Sequence, residues 1–224
     1  MTKICYSVLV LVFALIAPVF AQDPDGVEDK EAAYTIVINE RADAIVAQLG
    51  IDDTARAVRV RDIIAGQYRA LRTIHEARDA GVQAAKKRAG TNKAAVDAAV
   101  QAATNEANLK LDANHKVFLG RLLAELTPEQ VDKVKDGLTY GVVPLTYGVY
   151  REMLPNITDA QKRQILAWLY EAREYAMDAG TSSEKHAWFG KYKGRINNYL
   201  AKAGIDMKQA ERDLAARKKA TPQQ

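Results

Sequence analysis

Cysteine is almost missing from this chain. The only one, Cys5, lies in the first few residues. The chain beyond it therefore has no disulfide framework, no thiol nucleophile and no thiolate metal site. Histidine is nearly as scarce: there are three, widely separated and without ligand spacing, so no metal site and no cofactor are implied. An excess of one charge is lacking too. The chain carries 32 Lys and Arg against 28 Asp and Glu, a formal net charge of +4, with the two signs interspersed. Basic clusters are confined to Lys86-Lys87-Arg88, Lys191 to Arg195 and Arg217-Lys218-Lys219. A nucleic-acid binder would concentrate them on one face, so nucleic acid is not an expected partner. After Ile16 no long apolar run occurs, which leaves no expected membrane span in the mature protein. No motif specific to a catalytic reaction is present.

What is there begins with a targeting pattern. Lys3 is followed by a stretch, Ile4 to Ile16, that is apolar apart from Ser7, and Val19-Phe20-Ala21 sets small residues where a signal peptidase cuts. Residues 1–21 are thus expected to be a signal peptide and the protein to be exported to the periplasm or beyond. Residues 22–30 are expected as a flexible leader, 31–214 as one helical domain and 215–224 as a polar tail.

Helical periodicity dominates the domain, and the fold class it predicts is all-α, an irregular multi-helix bundle. A first helix is expected over about 31–49, closed by Gly50. Two long helices come next, about 54–88 and 93–125, around a turn at Gly90-Thr91-Asn92. Between 77 and 108 their large aliphatics reduce to Val82, Val96 and Val100, so this stretch is expected to be an alanine-rich hairpin arm projecting from the body. Thr127-Pro128-Glu129-Gln130 and Thr158-Asp159-Ala160-Gln161 are Thr-x-x-Gln capping boxes and start helices near 128 and 159. Between them Leu-Thr-Tyr-Gly occurs twice, seven residues apart, and with Pro144 predicts an irregular connection over 137–148. A helix from Ser182 to Leu200 and a last one over about 206–218 complete the order. Of thirteen aromatic residues after residue 21, ten lie between Tyr140 and Tyr199. The C-terminal half should therefore hold the larger core and any stacking surface.

The helix from Ser182 carries the most suggestive pattern. Trp188, Phe189, Tyr192, Ile196, Tyr199 and Leu200 share one side, and the ordinary expectation for such a stripe is core. Gly190 and Gly194 lie one turn apart beside it, each at a cost of about 1 kcal/mol against Ala in a helix interior. Either a close helix crossing or an approaching ligand would offset that cost. His186, Lys193, Arg195 and Asn197 flank the strip, and Glu174 and Asp178 lie one turn apart on the preceding helix. Sugars need flat apolar walls and fixed hydrogen-bonding groups. Tyr140, Tyr147, Trp168, Trp188 and Tyr192 are candidate walls, these six polar residues are candidate fixings, and His75 with Asp79 would close the other side. The catalytic residues, if any, are not identifiable.

Four long segments resemble a known family: Gln67 to Asp79, Val134 to Tyr150, Glu171 to Gly180 and Lys185 to Leu200. Together they are similar to the exported family catalogued as domain of unknown function 3826, over about Tyr34 to Leu214. The resemblance implies a secreted helical protein associated with carbohydrate, with oligosaccharide or polysaccharide as expected partner, and brings no catalytic residues with it. The expected function is thus a carbohydrate-associated, sugar-binding helical protein supporting polysaccharide utilisation. Two alternatives stand beside it. One is a polysaccharide-active hydrolase or lyase, for which Glu174 and Asp178 stand side by side rather than across a sugar. The other is a periplasmic chaperone-like or partner-binding protein, against which the few large aliphatics of the arm argue.

Overall fold

The computed structural model describes residues 24–220; the expected signal peptide, residues 1–21, lies outside the described residues. Eight helices and no strand occur among the described residues: α1 Pro24–Val46, α2 Thr54–Ala89, α3 Lys93–Glu125, α4 Pro128–Leu138, α5 Val142–Met153, α6 Asp159–Met177, α7 Ser182–Lys202 and α8 Met207–Ala220. The fold is all-α, a multi-helix bundle. By its contacts the chain divides after Ile36. Residues 24–36 are the opening turns of α1; the core and the cleft are built from Val37 onward. No helix of the described residues is long and apolar enough to cross a membrane.

Local chemistry sets the starts. Asp53 accepts hydrogen bonds from the Ala55 and Arg56 amides at the head of α2, and Asn92 accepts from Ala95 at the head of α3. Full capping boxes open α4 (Thr127 with Gln130) and α6 (Thr158 with Gln161), and a third, Thr181 with Glu184, opens α7. Gly50 and Gly90, both at positive φ, end the segments before α2 and α3.

Helices α2 and α3 form an antiparallel hairpin. Between residues 77 and 108 only Ala85 and Ala107 are buried, and a Cβ placed on Gly81 would touch that of Ala103 at 3.7 Å. Small residues let the backbones approach without burying much area. Towards their other ends the same helices carry Val60, Ile64, Leu71, Phe118 and Leu122 into the interior. The C-terminal core is assembled by α5 to α8 around Tyr150, Ile165, Leu169, Phe189, Tyr192, Ile196 and Leu200, with Trp168, Trp188 and Tyr199 half-buried at its edge. The aromatic stripe of α7 is therefore divided: Phe189 and Tyr192 are core, while Trp188 remains partly accessible.

Three expectations are corrected. The stretch expected as a flexible leader is helical from Pro24, a residue whose fixed φ suits a first helical position. Residues 137–148 are not one irregular connection. The break is limited to Thr139–Gly141, with Tyr140 and Gly141 at positive φ, and Pro144 falls in the first turn of α5, where its missing N–H costs nothing. Tyr147 and Gly148 are thus helical. The expected tail, finally, belongs to α8 as far as Ala220. Arg217 donates to the Glu152 carbonyl at 2.9 Å and Lys218 pairs with Glu152 at 3.0 Å, tying that helix to α5.

Candidate functional site

The apolar stripes of α2 and α3 both turn polar at one level. On α2 the sequence Val60, Ile64, Gln67, Leu71 continues at helical spacing into His75 and Arg78. On α3, read backwards, Leu122 and Phe118 give way to His115, Leu111 and Asn108. Helix α6 ends against this level, bringing Glu174, Tyr175 and Asp178, and α7 begins there with Glu184 and Trp188. The four elements enclose an open cleft of about 650 Å³.

His115 is its centre. Its Nδ1 donates to Asp178 Oδ2 at 2.7 Å, and its Nε2 faces Glu174 Oε2 at 3.4 Å. The two carboxylates, one turn apart on α6, are held by the imidazole between them. Hydrogen bonds to Asp178 and Glu174 outweigh burial and raise the His115 pKa to about 9, so the ring is a cation at neutral pH. Lys135 of α4 holds Glu174 from behind, donating to both its oxygens at 3.0 and 2.9 Å. Burial works against ionisation of Glu174, yet His115 and Lys135 bring its pKa down to about 2. Beneath lies Arg173, 3% exposed, clamped by Asp132 at 2.6 Å and Asp136 at 2.8 Å on successive turns of α4. Burial opposes the Arg173 charge, and those two carboxylates outweigh it.

His75 completes the wall from α2. Its Nε2 donates to the Asp178 carbonyl at 2.8 Å, which leaves Nδ1 buried with no protein partner. Asp178 Oδ1 is likewise buried and unpartnered. The turn after α6 lies directly on this ring: a Cβ on Gly180 would come within 2.9 Å of it. Across the mouth Arg78 approaches Glu184 at 3.8 Å, linking α2 to the capping residue of α7. The apolar side of the cleft is a stacked pair, Tyr175 on Trp188, with centroids 4.6 Å apart and planes 16° from parallel. Among the described residues no group of three or more metal-ligating side chains is placed to hold an ion.

Of the residues singled out from the sequence, His75, Glu174, Asp178 and Trp188 come together here. The others do not. Asp79 is exposed and paired with Arg78 at 2.9 Å. Tyr140 stacks on His186 at 5.6 Å, and the His186 Nδ1 donates to the Ser182 carbonyl at 2.8 Å, outside the cleft. Tyr147 packs at the C-terminal core with Arg151 over its ring. Lys193 and Asn197 face a groove between α5, α7 and α8, where Asn197 accepts from the Tyr150 hydroxyl at 2.6 Å. Arg195 lies over Trp168 on the opposite flank. The notch imagined around Gly190 and Gly194 therefore does not gather His186, Lys193 and Asn197. Both glycines are exposed, and neither meets another helix: nothing lies within 4 Å of a Cβ placed on either.

His115, Arg78, Asn108, Tyr175, Glu184 and Lys135 were not anticipated as a site. The signal for two of them was nonetheless present. His115 and Asn108 occupy stripe positions of α3, in register with Leu111 and Phe118, where an apolar residue is due.

The chain belongs to the family described as protein of unknown function (DUF3826), whose model matches residues 35–220. No curated protein matches it.

Proposed function

We propose that the protein binds a carbohydrate in the cleft centred on His115, and that it does so as a binding protein rather than as an acid–base catalyst. The observation that carries this is the pairing of a stacked aromatic wall, Tyr175 on Trp188, with the His115–Asp178–Glu174 group in one open cleft. An aromatic face takes the C–H side of a sugar ring, and fixed polar groups take its hydroxyls. Asn108, Arg78 and Glu184 add donors and acceptors at the rim.

Catalysis is the weaker reading for a physical reason. A general acid or base works best with a pKa near the operating pH. His115, at about 9, holds its proton too firmly, and Glu174, at about 2, has none to give. Both groups are spent on each other, which suits positioning. Lys185, brought down to about 8 by burial, is nearer neutrality, but its ammonium is committed to the Ala176 and Met177 carbonyls at the end of α6. Export is part of the proposal, on the pattern of residues 1–21.

The test is a binding screen of the purified protein against plant and algal oligosaccharides, read by tryptophan fluorescence and thermal shift. A saturable response is expected with at least one, and Trp188→Ala should weaken it about tenfold or more while the variant still unfolds cooperatively. A variant with unchanged affinity would place the ligand elsewhere.

A further inference from the structure

The cleft does not end at Trp188. Lys191 lies over the Trp188 ring at 4.9 Å. Farther along α7, Arg195 lies 4.6 Å over Trp168 and 6.0 Å from Tyr192, and Trp168 meets Tyr199 edge to face at 5.3 Å. Aromatic rings and cations thus alternate along one flank of α6 and α7. At 1.5 Å per residue the track from Trp188 to Tyr199 runs about 16 Å. It opens into a second, shallower groove walled by Trp168 and Tyr199 and floored by bare backbone at Gly194.

The two ends differ in charge. The cleft is lined by Asp112, Glu174, Asp178 and Glu184 against Arg78 and protonated His115. The groove is lined by Lys191, Arg195 and Lys202 with no acid among its walls. Beside it Glu171 pairs loosely with Arg195 at 3.5 Å, both being about half exposed. Such a pair is worth little in water, so an incoming anion displaces it at small cost.

We infer that the α6–α7 track binds an acidic glycan, one whose uronate or sulfated unit lies on Arg195 and Lys191 between the aromatic rings while an uncharged unit enters the cleft. The inference rests on the carbohydrate reading and assigns it a chemical class and a direction. Rings and cations in alternation also suit single-stranded nucleic acid, but a continuous polyphosphate would have to enter a cleft whose acids outnumber its cations. A glycan with charge at one end meets no such repulsion. Gly194 then has a reason to lack a side chain: the groove floor lies where a Cβ would stand.

The experiment titrates the full-length mature protein with oligosaccharides charged on one terminal unit only, a glucuronosyl-xylotriose and a galactotetraose sulfated on its terminal unit, each beside its methyl-esterified or desulfated counterpart. Trp168 and Trp188, the only two tryptophans of the chain, provide the signal. At low salt at least one acidic probe should bind about tenfold more tightly than its neutral counterpart. That preference should shrink in about 0.5 M NaCl and disappear in Arg195→Gln. Equal affinity of acid and neutral forms, or a preference that survives Arg195→Gln, overturns the inference and leaves the cleft reading standing. Tighter binding of oligo-dT than of any acidic sugar assigns the track to nucleic acid and also overturns it. Absence of binding by any sugar, charged or neutral, removes both readings.

Discussion

At the scale of single residues, His115 organises the site, and its charge makes the protein pH-dependent. Its pKa rises from about 6.5 in an unfolded chain to about 9 in the folded one. The stabilisation is therefore complete below about pH 6.5 and is lost as pH rises towards 9. Glu174 works in the opposite sense, contributing above about pH 4.5 and losing its contribution as pH falls towards 2. Lys185 is depressed to about 8, so its burial penalty is relieved only above that pH, where the folded protein has released a proton that the unfolded chain still holds. The window in which His115 acts alone among these three is thus about pH 6.5 to 8. Melting temperature should fall across it in the wild type and stay nearly level in His115→Gln, a comparison made by thermal scans in a single buffer series. A parallel decline in both proteins would show that the imidazole is not the group responsible. Arg173 supports the same site from below. Replacing it with Met removes a buried cation and leaves Asp132 and Asp136 facing each other. A loss of about 2–4 kcal/mol is expected in urea unfolding.

At the scale of elements, the helix starts were legible because they are written in three or four consecutive residues. Thr127 with Gln130 and Thr158 with Gln161 close their boxes without help from the rest of the fold, and Gly90 turns the hairpin by its own backbone freedom. Pro144 was harder. Its effect depends on its place within a helix, and only the neighbouring positive-φ pair, Tyr140 and Gly141, puts it in a first turn, where it is harmless. The glycines show the same dependence on what lies opposite. Gly190→Ala adds a side chain where nothing lies within 4 Å and should stabilise α7 by up to about 1 kcal/mol. Gly137→Ala would set a Cβ 2.7 Å from Ile45 Cγ1 in the α1–α4 contact, and Gly180→Ala would strike the His75 ring. Each should cost about 1–3 kcal/mol. Chemical denaturation of the three variants side by side gives the order directly, Gly190→Ala above wild type and the other two below it.

At the scale of the whole molecule, the site depends on contacts between residues far apart in sequence, and for that reason only part of it was legible. Glu174, Asp178 and Trp188 belong to neighbouring helices, so a local reading brought them near one another. His115 lies 63 positions from Asp178, and nothing in either segment names the other. The polar interruptions of two apolar stripes, His75 on α2 and His115 on α3, were the only marks of where those helices meet α6. His186, Lys193 and Asn197 do not share the cleft because side chains spaced along one helix need not face one cavity: the second helix decides which flank is open. The most direct measurement is calorimetric titration of the best oligosaccharide ligand into wild type, Asp178→Asn and Lys193→Ala. A ligand seated in the cleft requires that Asp178→Asn lower affinity about tenfold or more, since it unseats His115, and that Lys193→Ala on the far flank bind as wild type. Full affinity in Asp178→Asn, or loss of affinity in Lys193→Ala, would contradict it.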